Sequence, residues 1–222
     1  MPRQARPKKP EGSPSGPPLR ARNDADRQAK ERLILDAALD VFGERGFAEA
    51  RLEDVAARAG VAKGTIYLYF ASKEALFEAL IRTGVGAPIV AVGAELAGQE
   101  LPFETILRTI FARLRTEILG TRRKEIIRLV LAEAGRFPQL AEFYHREVVS
   151  RGMVLLRGIA ERAVARGEIA SDEIVRYPQL VIAPALVAFL WATLFERFED
   201  LDAEALFDAH VALITRALKT KP

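Results

Sequence analysis

Cysteine is absent from the 222 residues, which excludes disulfide frameworks, thiolate zinc sites and cysteine nucleophiles and leaves nothing that marks an oxidising compartment. Histidine occurs only twice, as His145 and His210, too far apart in sequence for the short-spaced imidazole pair of a metal site. No nucleophile elbow, phosphate-binding glycine loop or metal motif is found. An enzyme would have to rest on His145 beside Glu142, Tyr144 and Glu147, so no catalysis, cofactor or metal is expected. Alternating-polarity runs closed by hairpin dipeptides are also missing, and no strand is expected. The uncharged stretch Tyr177–Phe195 approaches the roughly 20 apolar residues of a membrane span. Pro178, Gln179, Pro184 and Thr193 interrupt it, and no membrane association is expected.

What is present is a composition of 50% hydrophobic and 28% charged residues, which buries a real core. The net charge of +3 hides an asymmetry. Residues 1–22 carry Arg3, Arg6, Lys8, Lys9, Arg20 and Arg22 against Glu11, 6 minus 1 or +5, and hold six of the twelve prolines. Such a stretch supports neither helix nor ladder and reads as a disordered basic arm suited to phosphates. It lacks the apolar run of a signal peptide, and a cytoplasmic location is expected.

From Asp24 onward the pattern is helical. Ile34, Ala37, Ala38, Val41 and Phe42 recur at three- and four-residue steps among charged positions, which predicts one amphipathic helix ending at Gly46. Further helices are predicted at about 53–59, 64–70, 73–96, 103–119, 122–135, 138–166, 173–197 and 203–219, separated by glycine or proline. Gly84, Gly86 and Pro88 predict a bend or break in the fourth. The fold class is all-α, with a helix-turn-helix unit at 23–72 and a larger helical domain at 73–222.

Within Leu52–Leu76, a short helix, Gly60 and a second short helix have helix-turn-helix spacing. Ala62, Lys63, Gly64 and Thr65 open the second helix, the end that reads base edges in a major groove. Tyr67, Tyr69 and Lys73 follow as polar groups suited to flanking phosphates, with Ser72 as an N-cap that places Lys73 in the next helix. Arg58 is expected near the same face. Bulk charge gives no support, since residues 23–72 hold 7 basic and 9 acidic side chains.

The run from Ile34 to Leu76 resembles the DNA-binding domain of the TetR/AcrR family of transcriptional regulators. The matching positions are Ile34, Ala37-Ala38, Phe42, Gly46-Phe47, Asp54-Val55-Ala56, Ala59-Gly60-Val61, Lys63-Gly64-Thr65, Tyr67, Tyr69-Phe70, Lys73-Glu74 and Leu76. The resemblance implies a homodimer that binds a palindromic double-stranded DNA operator and is released by a small-molecule effector held in the C-terminal domain. One departure is Ala50-Arg51, where the family has hydroxyl residues entering the second helix. Arg51 loses that cap and gains reach towards a phosphate.

In the larger domain, Tyr177–Phe195 and the stripe of Leu206, Phe207, Ala209, His210, Leu213, Ile214 and Leu218 supply two helices to a symmetric interface; the resemblance gives the last two long helices that role. An apolar or aromatic effector is expected among the middle helices, with Phe111, His145 and Trp191 as candidate contacts and Arg115, Arg128 and Glu133 as further polar candidates. The alternatives are a helical enzyme that binds a small molecule and a dimeric scaffold without operator binding.

Overall fold

The computed structural model describes residues 19–96 and 99–218, with side chains from 24 onward. Residues 1–18, most of the predicted arm, and Gly98, a predicted break, lie outside the described residues. Ten helices and no strand are found among the described residues. They are α1 (Leu19–Glu49), α2 (Leu52–Arg58), α3 (Lys63–Tyr69), α4 (Lys73–Leu96), α5 (103–119), α6 (Arg123–Glu133), α7 (138–165), α8 (Glu173–Arg176), α9 (Gln179–Phe195) and α10 (Ala203–Leu218).

Two boundaries differ from the sequence pattern. α1 begins at Leu19, five residues ahead of Asp24, so residues 19–22 of the predicted arm are helical. The predicted helix 173–197 is two helices, because Pro178 has no N–H and forces Tyr177 out of the helical region, to φ −125° and ψ 68°. The predicted break in α4 is instead a single wide turn, Arg82–Gly86, closed by the Ala87 N–H on the Arg82 carbonyl. Pro88 offers no N–H to the turn before it, and the extra residue absorbs the mismatch. Similar turns occur at Arg115–Leu119, His145–Val149 and Trp191–Phe195.

α4 is long and apolar enough to cross a membrane by length and composition. Its Leu76, Phe77, Leu80 and Ile81 are buried in the chain's own core, as in the central helix of a packed bundle.

Two apolar cores organise the chain. The first joins Ile34, Val41, Phe42 and Phe47 of α1, Ile66 of α3 and Phe77 and Ile81 of α4 to Leu129 and Val130 of α6 and Leu140 and Phe143 of α7. The predicted boundary between residues 72 and 73 therefore falls inside one continuous core. The second joins α5, the far half of α7, α9 and α10 through Leu107, Phe111, Ile159, Val181, Phe207 and Val211.

The first core turns on Gly46. Its φ of 74° and ψ of 168° kink the chain three residues before the end of α1, a conformation essentially confined to glycine. The reversal aims the Phe47 N–H at Glu133, the last residue of α6, whose Oε1 accepts at 2.9 Å. Glu133, named above among the polar effector candidates, is 7% exposed and serves this junction through Oε1. A Cβ on Gly46 would lie 2.8 Å from the same oxygen. The ring of Phe47 then packs edge-on against Phe77 at 5.2 Å and Phe137 at 4.9 Å.

Gly46→Ala is expected to destabilise the fold by roughly 1–3 kcal/mol from backbone strain alone. Glu133→Leu, which leaves the Phe47 N–H without an acceptor, is expected to cost about 1–3 kcal/mol. Urea unfolding measures both, and a wild-type midpoint for Gly46→Ala would show that the reversal does not need glycine.

Candidate nucleic-acid interface

α2 enters from an extended Arg51 (φ −124°, ψ 149°) with no side-chain cap, as expected from the missing hydroxyl. Glu53 and Asp54 in its first turn supply the negative charge that a helix N-terminus favours. The helix closes with Gly60 at φ 66° and with N–H donations from Gly60 to Ala57 and from Val61 to Ala56. This left-handed glycine cap turns the chain directly into α3.

α3 presents two different faces. Ile66 and Phe70, four residues apart, are buried in the first core and seat the helix. Lys63, Gly64, Tyr67 and Leu68 form the opposite, exposed stripe, with Ala62 exposed just before it and Thr65 and Tyr69 half-buried at its edges. Nothing lies within 4 Å of where a Gly64 Cβ would stand, so the stripe is open there. Leu68 is 79% exposed. Sequence reading passed over it, although a residue midway between two buried positions four apart has to point outward.

The polar groups of the stripe converge on one carboxylate that the sequence did not single out. Glu53 Oε1 lies 2.9 Å from Lys63 Nζ and accepts from the Tyr67 hydroxyl at 3.1 Å. These contacts, Lys63 first, hold the Glu53 carboxyl down at about 2 and raise the Lys63 ammonium above its usual range. Because the depressed group is the acid, the pair is in place at neutral pH. It is lost only as pH falls from the ordinary carboxylate range towards about 2.

Other predicted contacts are placed differently. Ser72 caps α4 as expected, its Oγ accepting from the Ala75 N–H at 3.1 Å. Lys73, expected on a phosphate, instead donates to the Ala48 carbonyl at 2.8 Å and lies 4.7 Å above the Phe47 ring. The reversal at Gly46 leaves that carbonyl without a helical donor beside the start of α4, and Lys73 supplies one. Arg58 is drawn back to α1 by Glu44 at 2.7 Å and Asp40 at 3.7 Å. Tyr69 leans towards α1, 6.0 Å below the Arg27 guanidinium. Arg51 is exposed.

The three candidate effector contacts do not form one site. Phe111 is buried, stacks on Phe207 at 4.7 Å and meets His210 edge-on at 6.0 Å. With Arg108, Arg115, Phe207 and Asp208 it lines a cavity of about 210 Å³ between α5 and α10. His145 is exposed on the wide turn of α7, its Nδ1 3.3 Å from Ser150 Oγ, and Trp191 packs edge-on against Phe195 at 5.1 Å. Neither lines that cavity. Burial pushes His210, which is half-buried on α10, below its ordinary range.

A family model described as bacterial regulatory proteins, tetR family, matches residues 34–80, and one described as tetracyclin repressor-like, C-terminal domain, matches residues 103–214. The HTH-type transcriptional regulator RutR of Escherichia coli (strain K12) is 34% identical over 131 residues, 58% of this chain and 52% of RutR. The chain thus spans about half the length of that relative. Among solved structures, FadR from Bacillus subtilis in complex with stearoyl-CoA is 22% identical with a TM-score of 0.65, covering 84% of this chain and 98% of that one. The fatty acid degradation regulator FadR from Bacillus halodurans is also 22% identical, with a TM-score of 0.69 and coverage of 86% and 97%.

The position of Lys73 has a measurable consequence. Lys73→Ala is expected to lower unfolding stability by about 1.5 kcal/mol through the lost charged hydrogen bond, while the salt dependence of binding to duplex DNA stays that of the wild type. A salt slope reduced by about 1 would return the ammonium to a phosphate.

Proposed function

The chain belongs to the TetR family of bacterial regulatory proteins, and from that premise we propose that it is a cytoplasmic transcriptional regulator that represses by binding a palindromic operator as a dimer and is released by a small hydrophobic effector. The observation that carries the reading is the two-faced α3. Ile66 and Phe70 anchor it, and Ala62, Lys63, Gly64 and Tyr67 stand outward at and after its N-terminal end, the end that a recognition helix brings to base edges. Thr65 flanks that stripe, and Arg51 stands at the entry to α2 within reach of the backbone.

Dimerisation is supported by apolar side chains left on water. Leu180, Leu186, Val187 and Leu190 of α9 and Leu213 of α10 are exposed, Leu186 at 62%. The predicted α10 stripe divides between two roles, because its Phe207 and Leu218 are buried, with Val211 beside them, in the chain's own second core. Ala188 is likewise an internal residue. A symmetric pairing of the outward stripes buries them and sets two α3 helices against successive major grooves, about 34 Å apart.

Control by an effector follows from the cavity between α5 and α10. At about 210 Å³ it is smaller than the roughly 300–1,000 Å³ of most ligand clefts. An effector settling against Phe111 therefore has to part the two helices. α10 also carries part of the proposed dimer face, so the movement changes the spacing of the two heads and lowers affinity for the operator.

Footprinting of the purified protein on fragments of its own genome is expected to protect an inverted repeat with half-sites about one helical turn apart. Absence of protection on every fragment would overturn the reading. For the dimer, Leu186→Arg is expected to sediment as a folded monomer with weakened operator binding, whereas Ala188→Arg buries an unpaired cation at a cost of about 3–5 kcal/mol and unfolds the chain. A wild-type protein that sediments as a folded monomer at micromolar concentration would defeat the interface.

A further inference from the structure

Lys63 and Tyr67 lie one turn apart on the exposed stripe of α3, and a single oxygen of Glu53, on α2, holds both at 2.9 and 3.1 Å. The adjacent carboxylate, Asp54, is occupied by Arg45 at 2.6 Å. Glu53 is thus the acidic group that faces the reading stripe, and we propose that it is a positioning residue for DNA recognition, holding Lys63 and Tyr67 back from phosphates and releasing Lys63 only to an acceptor on a base edge. The inference rests on the reading that α3 enters the major groove, and it adds a determinant of specificity to that reading.

Non-specific affinity follows the number of phosphates that a protein neutralises. A lysine at the tip of a recognition helix would ordinarily add one such contact on any sequence. Here the Glu53 carboxylate cancels its charge and, being negative itself, is repelled by the backbone. The side chains of Lys63 and Glu53 are 69% and 42% exposed, and ion pairs so exposed are weak. A guanine edge offers O6 and N7 to one ammonium and carries no charge that repels Glu53, whereas a phosphate that approaches Lys63 also meets the carboxylate beside it and is repelled.

The test compares wild type, Glu53→Gln, Lys63→Gln and the double variant by fluorescence anisotropy. Each is titrated with a random-sequence duplex and with a duplex recovered by footprinting. Circular dichroism and thermal melting establish that all four are folded. Glu53→Gln is expected to bind the random duplex more tightly and to lose about threefold more affinity between about 50 and 200 mM salt, the effect of one added phosphate contact. Its preference for the footprinted duplex falls. In the Lys63→Gln background the added salt dependence disappears. A wild-type salt slope and unchanged preference in Glu53→Gln would overturn the proposal. So would an equal steepening with Lys63 absent, which would make Glu53 a repelling charge and nothing more. Failure of the wild type to bind any duplex is a different result, and it removes the DNA-reading function itself.

Discussion

The backbone reversal at Gly46 is the constraint on which the rest of the structure depends. α1 kinks there, because the positive φ breaks the helical path three residues before Glu49, and the next N–H has to find an acceptor inside the core. Glu133 supplies it from 86 residues away. The reversal also turns Phe47 into the ring cluster with Phe42, Phe77 and Phe137 and exposes the Ala48 carbonyl that Lys73 caps. One glycine thereby ties the end of α1 to the end of α6 and the start of α4. The helix-turn-helix unit consequently shares its core with α6 and α7, and any shift of those helices reaches α3 through packed side chains.

Charge on the head is organised by pairing. Arg58 is held by Glu44 and Asp40, Arg45 by Asp54, and Lys63 by Glu53. These three cations near the reading helix have a carboxylate within reach in the free protein, whereas Arg51 stands exposed at the entry to α2. This explains how a segment of slightly negative net charge can still present a reading helix, and why counting charges says so little about it. In the proposed function the pairing is useful, since a head with few free cations adheres weakly to DNA at large and depends on its operator for affinity.

The body has a complementary logic. Its second core is closed by α10, which gives Phe207 and Val211 inward and Leu213 outward. The same helix therefore lines the cavity at Phe111 and forms part of the apolar surface proposed to pair with a second copy. A ligand that separates α5 from α10 acts on both, so effector control needs no additional device beyond the two faces of one helix.

The all-α class, the helix-turn-helix register and nearly every helix end were legible in the sequence, because periodicity and the glycine and proline positions are local properties of the chain. Ser72 as a cap and Ile66 with Phe70 as anchors are of the same kind. The split at Tyr177 and Pro178 was not read from the pattern, since a proline does not by itself end a helix: Pro184 lies inside α9, whereas Pro178 follows a residue held outside the helical region. What only the tertiary structure decided is the partner of each polar group. In the free protein Lys73 goes to a carbonyl because a distant glycine turned that carbonyl towards it. Glu133 accepts from the Phe47 N–H because α6 ends beside α1, and His145 and Trp191 are kept from the cavity of Phe111 by the way the helices pack. Glu53 faces α3 because of the angle at which α2 and α3 cross. Hydrogen bonds and ion pairs between elements depend on distances of a few ångströms in three dimensions, and a pattern along one dimension carries no record of them.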